Sequence, residues 1–496
     1  MTRYATRRTL LRGAAGAGAA PFAVGLAACA AGGGTGPGAV QPDKGPVEIH
    51  FTLPGAAGLE QDLYNGFITD FQARQSRIKV NHVFEPDFGA YPAKLRALLA
   101  ADTWPDIAHQ HLSVVQDFAQ QGALTELKPY LNRDKISEKD FIPVLVEEFT
   151  YRGKLMAVPK DSAAFGVYYN KDMFDKAGLR YPTESWTWDE FLSACQRLTK
   201  PEQGQFAITS QRPAPDSEQW EAVLRSFGGS WYNKELSKSN ADAAGSIEAL
   251  QFFWDLEYKH RVTPTAHQFQ FTGDAWRGAV TAMAFGHHST AYFHKTEKRE
   301  FKFDVVPIPR GRGGNFIAVG ASGYALPAKA RYKDEGWELL KFLTSKEVQA
   351  KIASGHRWGP SRPDSIDNLA WEDNLPEHFR DVHVEPLKGK GKVPPMGFVF
   401  PVGQLDIMQV YKEEFTDKLW AGTGTARDAA MGAKPKFDAV LAQGPRSPAA
   451  APERRRPLTD DGGASCQIPT HSPNASATTC ASPTSRTAST PSAAPT

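Results

Sequence analysis

The chain has 496 residues, 41% hydrophobic and 11% aromatic, with 57 Lys and Arg against 55 Asp and Glu for a formal net charge of +2. That balance excludes the strong positive field of a nucleic-acid binder, and the length passes the ~250–300 residues at which single cores stop growing, so two lobes are expected. The four cysteines, Cys29, Cys195, Cys466 and Cys480, follow no zinc or redox spacing and argue against a disulfide framework.

The chain opens with Arg7 and Arg8, a Gly/Ala-rich apolar run and then Cys29. The run is too short and too weakly apolar to remain in a bilayer, but it suits an export signal. "TRRTLLR" resembles the twin-arginine address. "LAAC" (26–29) resembles the lipobox of bacterial lipoproteins, which makes 1–28 a signal peptide and Cys29 the lipidated first residue. Residues 29–46 are Gly/Pro-rich and read as a flexible tether.

"VEIHFTL" from Val47 alternates apolar and polar residues, the period of a half-buried strand. A helix with Leu63, Phe67 and Phe71 on one face follows, then a strand "IKVNHVF" and a helix with Leu95, Leu98 and Leu99. Alternating strands and helices predict an α/β fold with a mainly parallel sheet and ligand loops at the carboxyl ends of its strands. "WPDIAHQHLS" (104–113) reads as a strand running into such a loop. Further on, Thr187 with Glu190 forms a capping box ahead of a helix that buries Cys195, and Thr344 with Glu347 predicts a second box. Residues 444–496, rich in Ser, Thr, Pro and Ala, are expected to be disordered.

Two segments, "AKLRALLAADTWPDIAHQHLSVVQDFAQQGALTELKPYL" (93–131) and "GKLMAVPKDSAAFGVYYNKDMFDKAGLRYPTESWTWDEF" (153–191), together resemble family 1 extracellular solute-binding proteins of ABC importers, the sugar-type group that includes maltose-binding protein. Weaker matches at 278–290, 303–311, 341–353 and 420–430 keep family order. The resemblance implies a two-lobed, periplasmic-binding-protein-like fold with several hinge crossovers, lobe 1 holding 47–145 and 303–345 and lobe 2 holding 146–302 and 346–443. It implies ligand capture by hinge closure, no enzymatic step and no cofactor.

Sugar recognition needs flat apolar faces and convergent hydrogen-bonding groups. The matching loops offer His109, Gln110, His111 and Ser113, then Asp161 and Ser162, then His287, His288 and Ser289, with Trp231 and Trp358 as stacking platforms. Many relatives carry tryptophan where Gln110 and Ser289 fall, so polar contacts are expected to replace stacking there. Trp231 and Trp358 read equally well as lobe core, and Asp161 as a turn or cap residue. His109 and His111 share one side if the strand reaches them. Two histidine pairs near one cleft also raise a metal site, ranked below sugar binding.

The expected function is a lipid-anchored subunit on the outer face of the bacterial cell membrane. As a monomer it hands a carbohydrate to ABC permease subunits and their ATPase, with no contact to nucleic acid. A secreted carbohydrate-active hydrolase or lyase is the alternative activity; a divalent metal or polyol phosphate is the alternative ligand.

Overall fold

The computed structural model describes residues 45–55, 59–264, 272–296, 300–355, 358–369 and 375–443, all within one compact unit, Met1–Gly444. Arg7, Arg8, Cys29, the tether and the tail with Cys466 and Cys480 lie outside the described residues.

The chain begins as its periodicity predicts. β1 (Val47–Pro54) buries Ile49, Phe51 and Leu53, and α1 (Leu59–Ala73) buries Phe67 and Phe71. β2 (Ile78–Glu85), α2 (Tyr91–Ala100) and β3 (Ile107–His111) follow, with β1 parallel to both β2 and β3. Then come α3 (Val115–Gln120), α4 (Lys128–Arg133), α5 (Pro143–Glu148) and a hairpin of β4 (Thr150–Tyr151) with β5 (Lys154–Leu155). The remaining strands are β6 (Val158–Pro159), β7 (Ala163–Asn170), β8 (Phe206–Ile208), β9 (Thr281–His287), β10 (Phe303–Val306), β11 (Ile317–Gly320), β12 (Ser322–Ala325) and β13 (Pro395–Met396).

Two sheets result. The first runs β2-β1-β3-β12-β6 and the second β13-β11-β7-β9-β8, with β10 beside β7. The parallel expectation holds for β1 to β3 and again where β8 joins β9 and β11 joins β13. β12 joins β3 antiparallel, and β7 pairs antiparallel with β9, β10 and β11. β12 returns from the second lobe, so its direction against β3 is set by that crossover and not by a βαβ repeat.

The lobe limits expected from the sequence need correction, because a strand belongs to the sheet whose hydrogen bonds it completes. β10 and β11 pair with β7, so the second lobe continues to Gly320 and the return crossing is at Ala321, not near 303. The first crossing lies at 160–162, between β6 and β7, not at 145. The helix Lys346–Ser354 stays with the first lobe: Lys351 pairs with Asp70 of α1 and Glu347 with Arg74 just beyond it, and Ile142 donates to the Ser361 carbonyl. The chain is back in the second lobe by the helix Phe379–His383, which packs on β7 and β10.

The capping box at Thr187 and Glu190 forms as predicted, and Cys195 is a free buried thiol whose pKa is pushed up by burial. At the second site Ser345, not Thr344, is the cap, accepting from the Val348 amide at 3.4 Å. Thr344 Oγ1 turns back to the Leu340 carbonyl, and Glu347 is drawn out to Arg74. Among the described residues no helix is long and apolar enough to cross a membrane.

Candidate functional site

The first two crossings lie side by side and are tied together. Lys160 donates its amide to the Ser322 carbonyl at 2.9 Å, and Asp161 Oδ1 accepts the Ser322 amide at 2.6 Å. Asp161 Oδ2 takes the Lys160 ammonium at 2.5 Å, a pair whose side chains are only 8% and 6% exposed. Ser162 exchanges both backbone hydrogen bonds with Gly359, and its hydroxyl donates to the Pro360 carbonyl at 2.8 Å. Asp161 and Ser162, expected to touch ligand, thus spend these polar atoms on the hinge. Trp358 lies beneath the same knot, its ring centroid 4.9 Å from Lys160 Nζ.

Away from the hinge, helix ends from the two lobes face each other. On the first lobe, α3 follows directly on the carboxyl end of β3 and carries Asp117, while α5 ends at Glu148. On the second, Ser217 caps the helix Glu218–Ser226, and the segment 397–404 leads into the helix Gln404–Tyr411. Asp117 Oδ1 accepts the Gly403 amide at 2.5 Å, and Glu148 Oε1 accepts the Phe398 amide at 3.3 Å, so both contacts bridge the lobes. The missing side chain of Gly320 makes room for Glu218, since a Cβ there would stand 2.0 Å from Glu218 Oε1.

Burial pushes the pKa of Glu148 well above its ordinary value, with Glu218, Glu147 and Asp161 adding repulsion and the Phe398 amide opposing. Glu218 is pushed up to about 7 by burial, with Asp216 adding to it. Asp216 is raised by desolvation although its surface stays open to solvent, as befits a group hemmed in by cleft walls. Tyr232 stacks on Phe398 at 6.1 Å between ring centroids, and its phenol feels Glu221, Asp216 and Asp117. Among the described residues, Tyr232 Oη, Gln404 Oε1, Glu148 Oε2, His109 Nδ1 and both amide atoms of Gln110 are buried without a hydrogen-bond partner. Such groups cost free energy unless a ligand or water satisfies them.

β3 does extend through His111, so His109 and His111 share a side, both edge-on to Phe88 at 5.7 and 5.4 Å. Burial lowers the pKa of each, that of His111 to about 4, so both rings are neutral near pH 7 and able to donate and accept. His287 lies across from Phe165 at the hinge end of β9, while His288 turns inward, edge-on to His383 at 6.1 Å. The four histidines form no three-residue metal set; among the described residues Asp304, Glu377 and His378 are the ones whose ligand atoms come within 4.8 Å of one another. Lys171 Nζ stands 4.0 Å from Asp304 and 3.9 Å from Glu377, which opposes a cation there.

Trp231 is not a platform. It is 0% exposed inside the second lobe, edge-on to Tyr411 and Phe415 at 6.2 and 5.7 Å. The residues that sequence reasoning missed, Asp117, Glu148, Asp216, Glu218, Tyr232 and Gln404, come from five separate segments. Each reads locally as an ordinary helix-end or loop residue, and only Gly320, in "VGASG", hinted at a close approach.

Two sheets joined by repeated passages of chain, with Asp117 and Glu148 of one lobe bonded to Gly403 and Phe398 of the other, define a hinged two-lobed binding protein. Residues 57–350 match the bacterial extracellular solute-binding protein family, and the chain belongs to that family. It is 22% identical over 415 residues to the sn-glycerol-3-phosphate-binding periplasmic protein of Rhizobium meliloti, covering 78% of this chain and 92% of that one. It is 23% identical over 300 residues to the multiple sugar-binding protein of Streptococcus mutans, covering 57% and 68%. Among solved structures, the ABC substrate-binding protein of Listeria monocytogenes in complex with cycloalternan superposes with a TM-score of 0.68 at 21% identity, over 80% of this chain and 99% of that one. Maltose-bound MalE3 of T. maritima gives 0.65 at 21%, over 79% and 99%.

Proposed function

We propose that this protein captures a carbohydrate between its lobes by hinge closure and delivers it to an ABC permease, tethered to the outer face of the cell membrane through a lipidated Cys29. The observation that carries the reading is the set of buried, unpaired donors and acceptors on facing lobes, His109 and Gln110 on one and Tyr232 and Gln404 on the other, the pattern that ring hydroxyls satisfy. The sugar-binding names of several relatives support it. A polyol phosphate fits less well, because Glu148, Asp216 and Glu218 would repel it.

Titration calorimetry against mono- and oligosaccharides, followed by recovery of the bound ligand, tests the reading. A sugar is expected to bind and emerge unchanged. Loss of the sugar over hours, abolished by one Asp or Glu substitution, would establish a hydrolase or lyase instead. The anchor is tested separately: Cys29→Ala is expected to move the protein from the membrane fraction to the soluble one without loss of ligand binding.

A further inference from the structure

Charge in the cleft is unbalanced in one place. Asp117 also faces the cleft, but its carboxylate sits on the amino end of the helix Gln404–Tyr411, whose amides and dipole offset it, and Arg96 adds a favourable field. Glu221, behind Tyr232, is neutralised by Arg225 at 2.7 Å. Glu148, Asp216 and Glu218 have no such offset: among the described residues none of them makes an ion pair, and each raises or is raised by another of the set. Asp161, which Glu148 also feels, is itself paired with Lys160.

Two further observations make this more than an acidic cluster. Tyr232 Oη and Gln404 Oε1 are buried and unpaired, and both sit beside these groups: the phenol feels Asp216, and Gln404 donates its side-chain amide to the carbonyl of Pro215, the residue before Asp216. The carboxylates also come from opposite lobes and meet at their boundary: Glu148 Oε1 accepts the Phe398 amide, the Glu218 carboxylate packs against Gly320, and the two are near enough for Glu148 to feel Glu218. Like charges brought together out of water oppose closure unless something positive lies between them. A divalent metal does not fit, because no three of these ligand atoms gather within 4.8 Å of one another. A larger, hydrogen-bonding cation does.

We infer that the solute is an amino sugar, free or within an oligosaccharide, whose protonated amine is received between Glu148 and Glu218 while Tyr232 and Gln404 bind neighbouring hydroxyls. This rests on the carbohydrate reading above and narrows it. The amine does two things at once: it supplies contacts, and it removes the repulsion that holds the lobes apart. Closure then depends in part on the ligand's charge, because a cation gains more from the closed form than its neutral counterpart does.

The test is calorimetry on the full chain with matched pairs: glucosamine against glucose, galactosamine against galactose, and glucosamine oligomers against the corresponding glucose oligomers. The amine of the preferred pair is expected to bind at least about ten-fold more tightly near neutral pH, as a charge-assisted hydrogen bond replaces a neutral one. Glu218→Gln and Glu148→Gln are expected to collapse that ratio to about two-fold, as is acidification to about pH 5, below the value near 7 to which burial pushes Glu218. Both variants should unfold at a higher temperature than the parent in the absence of ligand, which separates lost recognition from lost folding. Equal affinity for amine and hydroxyl partners would overturn the inference and leave the carbohydrate reading standing. Binding of spermidine or choline with no sugar would retain the cation site and overturn the carbohydrate reading. Failure of every amine in the panel to bind would overturn the inference.

Discussion

Asp161 and Glu148 are both buried carboxylates near the line where the two sheets meet, and their surroundings are opposite. Asp161 has a partner for each oxygen, the Ser322 amide and the Lys160 ammonium, and both partners belong to the crossing strands. Glu148 has one long hydrogen bond from Phe398, one oxygen with no partner, and another glutamate facing it. A buried charge with its partners in place is structure. A buried charge without them is stored cost, which a binding protein can recover when the right ligand arrives.

The largest expected effect breaks the first half of that contrast. Asp161→Ala leaves Lys160 buried and unpaired and frees the Ser322 amide, and should cost ~3–5 kcal/mol in urea unfolding. The opposite sign is expected at the cleft. Glu218 has its pKa raised from an ordinary 4.5 to about 7, so the folded state binds a proton that the unfolded state has lost. Stability of the ligand-free protein should therefore fall as pH rises from about 4.5 to about 7 and level off above, and Glu218→Gln should restore on the order of 3 kcal/mol near pH 8. Thermal unfolding of both proteins across that range checks the sign.

Two smaller effects sharpen the comparison. Asp117→Asn keeps an oxygen for the Gly403 amide but loses the charge at the helix end, about 1 kcal/mol of the contact between lobes. Ligand release followed by tryptophan fluorescence should become about five-fold faster, with little change in the unfolding midpoint. Trp358→Leu removes the aromatic face under Lys160 and should cost ~0.5–2 kcal/mol of stability. If it instead abolishes sugar binding while leaving the melting temperature alone, Trp358 stacks on ligand and its place beneath the hinge is secondary.

Much of the local structure is legible in the sequence. The alternation of Val47 to Leu53, the stripe of Phe67 and Phe71, and the box at Thr187 and Glu190 each depend on neighbours within a few residues, and each forms. His109 and His111 fall on one side because a strand has a period of two. The site is legible only at its edges. Asp161 and Ser162 stand at the right place along the chain, beside the cleft, but hydrogen bonds to residues some 160 and 200 positions away turn them into hinge ties. Trp231 has the chemistry of a platform and no surface to offer, because Tyr411 and Phe415 arrive from a distant helix to cover it.

The sequence by itself determined the class of fold and the family, since hydrophobic period and motif order survive without knowledge of contacts. It also determined those strands and helices whose signals are local, among them β1, α1, β2, α2 and β3. Tertiary structure alone decided where the chain changes lobes, because "FIAVGASGYALP" reads as one apolar stretch, and only pairing to β7 on one side and β3 on the other splits it at Ala321. It also decided which carboxylates matter. A glutamate's charge is written in the sequence, but whether that charge is answered depends on groups that folding brings from elsewhere in the chain, and among the described residues it brings no cation to Glu148 or Glu218.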